Sequence, residues 1–159
     1  VRSDALRKVR RFVGFAGRNQ QDLSGRGLAE VLERVQAELP HTVPVEGEAK
    51  ASVDGGKDAF KKCVSCHTVE KGGPNRTGPN LYGVVDRDVG KHEGFNYSPA
   101  LKDKGGKWDW AHLAAYLHNP RQAIPNNRMA FPGVSDNAEL ADLLAYLRTL
   151  SDSPAALPK

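Results

Sequence analysis

Both cysteines of the chain lie in one five-residue run, Cys63-Val64-Ser65-Cys66-His67. A Cys-x-x-Cys-His run is the attachment sequence of a c-type haem, because the two thiols add to the haem vinyl groups and the imidazole that follows is placed to bind the iron. Two residues between the thiols let one helical turn present both sulfurs along one edge of the porphyrin. The motif therefore predicts one haem c, attached through Cys63 and Cys66 with His67 on the iron, and leaves no cysteine for a disulfide.

Two other kinds of site use the same cysteine spacing. A structural zinc site needs four ligands, whereas this motif supplies three, and the sequence has no second Cys-x-x-Cys run and no His-x-x-x-His run. A thioredoxin-like redox pair follows a strand in a βαβ pattern, and no strand pattern lies near Cys63. The motif alone leaves these alternatives open, and the rest of the chain favours haem.

The single methionine, Met129, lies in a loop between Pro125 and Pro132 that joins two segments of helical pattern. A lone methionine usually fills the core, but no amphipathic stripe passes through this loop. A thioether is a soft ligand for low-spin iron, and a His/Met pair raises the reduction potential. We therefore expect His67 and Met129 to be the axial ligands, an arrangement that leaves no open position on the iron and favours electron transfer.

Four further histidines are alternative candidates for the second axial position. His41 lies in a linker-like segment, His92 in a glycine-bounded loop, and the other two on a helix. The last pair are His112 and His118. We expect all four to be surface residues that do not bind the iron.

Residues from about 54 to 151 resemble a class I cytochrome c, of the type that includes the mitochondrial protein and its bacterial relatives. The resemblance covers about 100 of the 159 residues, and its motifs follow the order and spacing of that family. It implies an all-α fold wrapped round a covalent haem, and a one-electron carrier in place of an enzyme. The matching segments are Cys63 to Gly73, Thr77 to Gly83, Gly94 to Tyr97, Tyr116 to Pro120 and Asp142 to Leu147.

The resemblance also implies roles for residues around the haem. Pro79 matches the proline whose carbonyl accepts a hydrogen bond from the ligand histidine, which fixes the imidazole tautomer. Tyr116 matches a tyrosine whose hydroxyl approaches the methionine sulfur. Asn127 stands where the family often has a threonine near a haem propionate, and we expect the same role. Buried propionates need hydrogen-bond donors. The residues that match the other propionate-binding groups are Arg87, Tyr97 and Trp108.

The composition favours a soluble electron carrier, with 39% hydrophobic residues, a formal net charge of +4 and no apolar run near the length of a bilayer span. A cationic ring round the haem edge speeds encounter with acidic faces of redox partners. No basic stripe with interleaved aromatic residues indicates nucleic acid binding. Asp136 stands where relatives tend to carry lysine. The residues that match the docking face of the family are Lys57, Lys62, Lys71, Arg76, Arg121 and Arg128.

Hydrophobic spacing predicts three helices in the cytochrome-like part. They cover residues 55–65, residues 109–118 with Asn119-Pro120 ending the turn, and residues 136–150 with Ser135 or Asp136 as N-cap. Glycines and prolines predict loops between Thr77 and Trp108. Loops of that length are unusual in a compact domain, but a haem supplies the missing apolar core.

The first and last helices of this part are expected to pack on each other. As in the family, Gly56 and Phe60 would meet Leu143 and Tyr146, and the small glycine would let the two helices cross closely. This crossing would set the direction in which the first helix enters the haem motif.

Residues 1–39 contain none of these motifs and are too short to bury a core of their own. Apolar faces predict two helices, 3–16 and 26–39, which suggests a helical hairpin extension that packs on itself, on the cytochrome, on a second chain or on a membrane. The basic first helix suits an anionic lipid surface, a partner protein or plain solvation. We expect residues 40–54 to be a linker, residues 55–151 the cytochrome domain and residues 152–159 a C-terminal tail.

Three functions are compatible with the sequence. The leading one is a carrier between a cytochrome bc type complex and a terminal oxidase or photosynthetic reaction centre. The second is a cytochrome module that residues 1–50 hold to one enzyme complex, and the third is a haem enzyme or ligand sensor in which the Met129 bond breaks. Since haem is attached outside the bacterial cytoplasm or in the mitochondrial intermembrane space, we expect a bacterial periplasm, with or without membrane association, and the intermembrane space as the alternative.

Overall fold

The structure is a computed structural model that describes residues 26–36 and 50–158. The regular elements in these residues are helices, joined by turns and long loops and by one isolated antiparallel bridge between Asp88 and Lys107. The all-α fold predicted from the sequence is therefore confirmed. The helices are α1 (Arg26–Gln36), α2 (Val53–Phe60), α3 (Pro99–Lys104), α4 (Trp110–His118), α5 (Pro120–Ala123) and α6 (Asn137–Thr149).

Five of these helices begin at a side chain that caps them. The oxygen of a serine, aspartate or asparagine accepts a hydrogen bond from a main-chain N–H in the first turn, which satisfies a group that has no partner within the helix. The caps are Ser52 for α2, Ser98 for α3, Asp109 for α4, Asn119 for α5 and Asp136 for α6. Asp136 was one of the two N-caps predicted for the last helix.

The predicted helices that fall within the described residues are present, but their ends differ from the prediction. α2 covers Val53–Phe60 and not 55–65, because the chain leaves the helix in a series of tight turns as it enters the cysteine motif. Its start takes in residues predicted to belong to the linker. α1 covers Arg26–Gln36 of the predicted 26–39. The predicted helix over residues 3–16 lies outside the described residues.

Two short helices were missed. α3 interrupts the region predicted to be loops, where Ser98 caps the chain and Pro99 takes the first helical position. α5 begins at Pro120, because Asn119 both ends α4 and caps the next helix. Asn119-Pro120 therefore connects two helices and does not only terminate one.

The crossing of α2 over α6 is as predicted. A Cβ on Gly56 would lie 2.5 Å from Cβ of Tyr146 and would clash with the main-chain carbonyl of Asp142. The rings of Phe60 and Tyr146 are 5.4 Å apart, and Leu143 is 1% exposed. The glycine thus brings the two backbones into contact, and α6 fixes the helix that leads to Cys63.

Helix α1 packs against α6 and α4, so this part of the extension belongs to the core. Val31 and Val35 are fully buried. Asn137 donates a hydrogen bond to the Glu30 carboxylate at 3.0 Å, and the N–H of Ala51 donates to the carbonyl of Arg34 at 3.3 Å. The sequence left four possible packing partners for the apolar face of this helix, and the structure shows that the partner is the cytochrome domain.

The residues that follow α6 also lie on the core. The indole N–H of Trp110 donates to the carbonyl of Ala156 at 2.7 Å, and Nε of Arg148 donates to the carbonyl of Ala155 at 2.8 Å. Pro158 is buried. The tail therefore covers the outer side of α4 and α6. Within the described ranges, no helix has the length and apolar character that crossing a membrane would require.

Replacing Gly56 by alanine tests the helix crossing. We expect the added methyl to force α2 and α6 apart and to lower the free energy of unfolding by about 1–3 kcal/mol, the usual cost of overpacking. Urea unfolding of the haem-loaded protein measures this change. A loss under about 0.5 kcal/mol would show that the crossing is looser than the backbone contact indicates.

Replacing Val31 by alanine tests whether α1 is part of the core. The substitution removes two fully buried methyl groups and is expected to cost about 2 kcal/mol of unfolding free energy. Glu33→Ala is the matched control, because Glu33 is an exposed residue of the same helix. Equal stability of the two variants in urea would contradict the docking of α1.

Candidate haem site

The two cysteines lie along a single turn at the end of α2. Main-chain hydrogen bonds run from the N–H of Cys63 to the carbonyl of Phe60 (2.8 Å), and from those of Cys66 and His67 to the carbonyl of Cys63 (3.1 and 3.0 Å). Both thiols are free, and burial raises the pKa of Cys63 to about 11. The turn presents two free cysteine thiols beside the imidazole, the set of groups that covalent haem attachment requires.

A hydrogen bond to a main-chain carbonyl fixes the imidazole ring of His67. Nδ1 lies 2.7 Å from the carbonyl oxygen of Pro79, the contact implied by the resemblance. Since a carbonyl only accepts, Nδ1 carries the proton and donates it, which leaves the lone pair of Nε2 for a metal. Burial lowers the pKa of His67; the hydrogen bond to the Pro79 carbonyl raises this pKa by a smaller amount, and the positive charge of Arg87 lowers it slightly further. The ring is therefore neutral and oriented at physiological pH.

Gly78 completes the support of this imidazole, and its role was missed from the sequence. Its N–H donates to the carbonyl of Cys66 at 2.8 Å, which folds the loop back over the cysteine motif. A Cβ on Gly78 would lie 2.7 Å from both ring nitrogens of His67. A side chain at this position would displace the ring. The Gly-Pro pair at 78–79 was the available signal, since it places the smallest residue before the acceptor.

Residues predicted to bind the propionates are brought together by the antiparallel bridge of Asp88 and Lys107. The N–H of Asp86 donates to the carbonyl of Trp108, and the N–H of Trp108 donates to the carbonyl of Arg87, each at 2.8 Å. Both Trp108 and Tyr97 are buried. The bridge thus fixes the indole of Trp108 and the guanidinium of Arg87 on two adjacent loop segments.

The Arg87 guanidinium has a buried N–H donor, at Nε, without a hydrogen-bond partner among the described residues. Nη1 donates to the main-chain carbonyls of Asn80 (2.9 Å) and Tyr82 (3.3 Å), whereas Nε is buried and has no partner among the residues that the structure describes. Burial raises the pKa of Tyr97, and the charge of Arg87 lowers it in part, so the phenol lies within the field of the guanidinium. A buried orphan donor on a cation fits an anionic group such as a haem propionate.

The loop that contains Met129 is tied together by Asn127. Oδ1 of Asn127 accepts from the N–H of Met129 at 2.8 Å and from the hydroxyl of Tyr116 at 3.3 Å, and Nδ2 donates to the carbonyls of Pro120 and Ile124 at 2.8 Å each. Met129 is half-buried against the core. Both amide hydrogens of Asn127 therefore have main-chain acceptors. The resemblance had implied a haem propionate as the partner of this side chain.

Tyr116 lies on the inner face of α4 beside this loop. It is buried, its ring centroid is 4.9 Å from that of Trp108, and burial raises its pKa to about 12. The hydroxyl therefore keeps its proton and acts as a donor at any physiological pH. Tyr116 thus contacts the ring of Trp108 and, through the hydrogen bond to Asn127, the Met129 loop.

One expectation for the histidines is wrong. His118 is not a surface residue but is 6% exposed, with Nδ1 2.9 Å from the carbonyl of Val134, because the chain after the Met129 loop packs over the end of α4. His112 is exposed and pairs with Asp109, and His92 lies beside Arg87. His41 lies outside the described residues.

Several of the predicted docking cations are paired with carboxylates. Lys57 pairs with Asp54 and Lys62 with Glu139, and Lys71 pairs with Asp152. Nη1 of Arg76 donates to the carbonyl of Val64 at 3.2 Å, within the cysteine motif. Arg121 and Arg128 are exposed. The basic residues therefore lie at the surface as predicted, but half of their charges are locally balanced.

A helical fold in which a main-chain carbonyl accepts a hydrogen bond from the histidine of a Cys-x-x-Cys-His turn is the fold of a c-type haem protein. Comparison with known proteins agrees, since a family profile described as cytochrome c matches residues 53–151. Cytochrome cH from Methylobacterium extorquens has a similar structure, with a TM-score of 0.59 and 40% identity over 62% of this chain and 99% of that one. The chain belongs to the cytochrome c family, in its class I.

Curated relatives come from bacteria and from plants. The cytochrome c homolog of Bradyrhizobium diazoefficiens is 51% identical over 109 residues, which are 68% of this chain and 59% of that protein. The homolog of Rickettsia bellii is 40% identical over 114 residues, 72% of this chain and 65% of that protein. Cytochrome c of Guizotia abyssinica is 45% identical over 64% of this chain and 89% of its own length. The match thus spans less than two thirds of either bacterial relative.

Family membership establishes the cofactor. The family binds haem c covalently through its cysteine pair, which is Cys63 and Cys66 in this chain. Its members are electron carriers and not enzymes, and they typically work outside the cytoplasm or in the intermembrane space.

Replacing Gly78 by alanine tests the support of the histidine ligand. The methyl group would overlap the imidazole, so we expect a smaller fraction of low-spin haem protein in the absorption spectrum and a loss of about 1–3 kcal/mol in unfolding free energy. Gly72→Ala is the control: its φ of 70° also strains an alanine and lowers stability, but the added methyl meets no described atom within 4 Å and leaves His67 untouched. Identical spectra for the two variants would contradict the role of Gly78.

Proposed function

We propose that the protein is a one-electron carrier whose haem iron is bound by His67 and Met129. The observation that supports this most directly is the hydrogen bond from Nδ1 of His67 to the Pro79 carbonyl, because it reserves Nε2 for the iron. The chain holds the main chain of Met129, its single methionine, by a second hydrogen bond. A neutral imidazole and a thioether form the ligand pair that raises the reduction potential of a haem.

The residues around the cofactor would bind it, orient it and exclude water. The haem, when bound, supplies the reversible one-electron chemistry. Arg87, with its buried and unpaired Nε, together with Tyr97 and Trp108 would hold the propionates. Buried charges of opposite sign keep both groups ionised. Tyr116 would close the side of the pocket between Trp108 and the Met129 loop.

The proposed partners are a cytochrome bc type complex as donor and a terminal oxidase or photosynthetic reaction centre as acceptor, in a bacterial periplasm. Exposed cations near the cysteine motif support docking on acidic faces of such complexes. Contact with these partners is expected to be brief, because a carrier must dissociate, and small interfaces suit that requirement. A haem enzyme or sensor would require Met129 to leave the iron.

A second candidate function is a module tethered through its extension. α1 packs on α4 and α6, so the preceding residues 1–25 are joined to a helix of the core and not to a free linker. Those 25 residues contain six Lys or Arg against two Asp, a difference of +4 that equals the net charge of the whole chain. The remainder is therefore neutral overall. The basic residues are Arg2, Arg7, Lys8, Arg10, Arg11 and Arg18, and the acidic ones are Asp4 and Asp22.

Removal of residues 1–25 separates the two candidates, because α1 stays in place. A tethered module would lose binding to anionic lipid vesicles or to one purified redox complex, whereas a free carrier would reduce an isolated oxidase at an unchanged rate. Unchanged values in all three assays would exclude the tethering role of this segment.

Replacing Met129 by histidine tests the proposed ligand pair. Since a thioether raises the potential relative to an imidazole, we expect the reduction potential to fall by about 0.1 V or more, within the ~0.8 V range that axial ligands span. Protein-film voltammetry measures this shift. His112→Gln is the control and should leave the potential unchanged, because His112 is exposed and pairs with Asp109. An unchanged potential in the Met129 variant would contradict the assignment.

Removing the carboxylates that pair with docking lysines tests the interaction surface. Glu139→Gln and Asp152→Asn release the charges of Lys62 and Lys71, so we expect each to raise the second-order rate of electron transfer to an isolated oxidase about twofold at low salt. The gain should vanish at high salt. Asp103→Asn is the control for net charge alone, and an equal gain in that variant would contradict a localised docking face.

A further inference from the structure

Asn127 joins three separate segments around the proposed methionine ligand. Its amide donates to the carbonyl of Pro120 at the start of α5 and to that of Ile124 in the ligand loop, and its oxygen accepts from Met129 and from Tyr116 of α4. The loop turns sharply just before it, because the N–H of Asn127 donates to the carbonyl of Ile124 at 3.3 Å and Asn126 has a φ of 64°. A single side chain thus ties the Met129 main chain to two helices.

The hydrogen-bonding capacity of this amide is fully used. A carboxamide has two N–H donors and two acceptor lone pairs, and the four contacts occupy all of them. The group has no donor left for a propionate. The hydroxyl of Tyr116 has one proton, and that proton points at Oδ1 of Asn127 and not at a thioether sulfur.

We propose that Asn127 is a positioning residue that holds Met129 on the iron side of its loop and orients the Tyr116 hydroxyl. This rests on the proposed ligation by Met129. Loss of the side chain would leave the main-chain N–H of Met129 and the carbonyls of Pro120 and Ile124 without their partners. The loop could then move, and an external ligand would replace Met129 at a lower cost.

Val31→Ala is the control for loss of stability alone. Val31 is fully buried in α1, and its truncation lowers the free energy of unfolding. Its apolar side chain makes no hydrogen bond to the Met129 loop. Val31→Ala therefore destabilises the protein without removing any hydrogen-bond partner of that loop.

The experiment titrates the oxidised, haem-loaded protein with imidazole, which competes with Met129 for the iron, and follows the loss of the weak red absorption band of methionine-bound haem. We expect Asn127→Ala to raise the apparent affinity for imidazole about tenfold, and Tyr116→Phe to raise it less, because only one of the four hydrogen bonds is lost. Val31→Ala should stay within about twofold of the wild-type imidazole affinity while losing unfolding free energy in urea.

Equal imidazole affinities for Asn127→Ala and Val31→Ala would overturn the positioning role. Should Asn127→Ala fail to fold, Asn127→Thr takes its place. It retains an acceptor for the N–H of Met129 but loses both amide donors, so its imidazole affinity should exceed that of Tyr116→Phe. Wild-type affinity in this variant would overturn the proposal. Met129→Ala separates this result from a failure of the proposed function. If Met129 is not a ligand, the wild type and Met129→Ala bind imidazole equally well.

Discussion

The contact on which the site depends most is the hydrogen bond between Nδ1 of His67 and the carbonyl of Pro79. It sets the tautomer of the imidazole, and the bare backbone of Gly78 lets the ring lie flat against the loop. The position of that loop relies in turn on Asn80, which links Thr68, Glu70 and Tyr82. His67 is partly buried, and its neutral ring is fixed by a hydrogen bond from Nδ1. Only Nε2 remains free to bind a metal, so the fold itself orients one axial ligand for the iron.

Packing between the helices determines where the cysteine motif and His67 lie. α6 holds α2 at Gly56, and α2 ends at the turn that presents the cysteines. α1 extends the same core beyond the family-matched region, since its two fully buried valines lie against α6 and α4. The extension therefore stabilises the helices that hold the site, whatever residues 1–25 bind.

Local patterns were predictable from the sequence, whereas contacts between distant segments were predicted only where the resemblance implied them. The cysteine motif and the Asp136 cap depend on short-range spacing. The crossing of α2 and α6 at Gly56 was expected because the family has it. The two short helices were missed since a Ser-Pro or Asn-Pro pair also suits a turn. Burial of His118, the pairing of Lys71 with Asp152 and the partners of Asn127 all depend on how loops pack, which hydrophobic periodicity does not encode.

The most direct test of the account is the proton NMR spectrum of the reduced, haem-loaded protein. A methionine bound to the iron lies over the porphyrin, whose ring current moves the methyl resonance far upfield of every other methyl group. Since Met129 is the single methionine of the chain, the assignment is unambiguous. The account predicts one such upfield three-proton resonance, absent in Met129→Leu. A reduced spectrum in which the methionine methyl stays in the ordinary aliphatic region would contradict ligation by His67 and Met129.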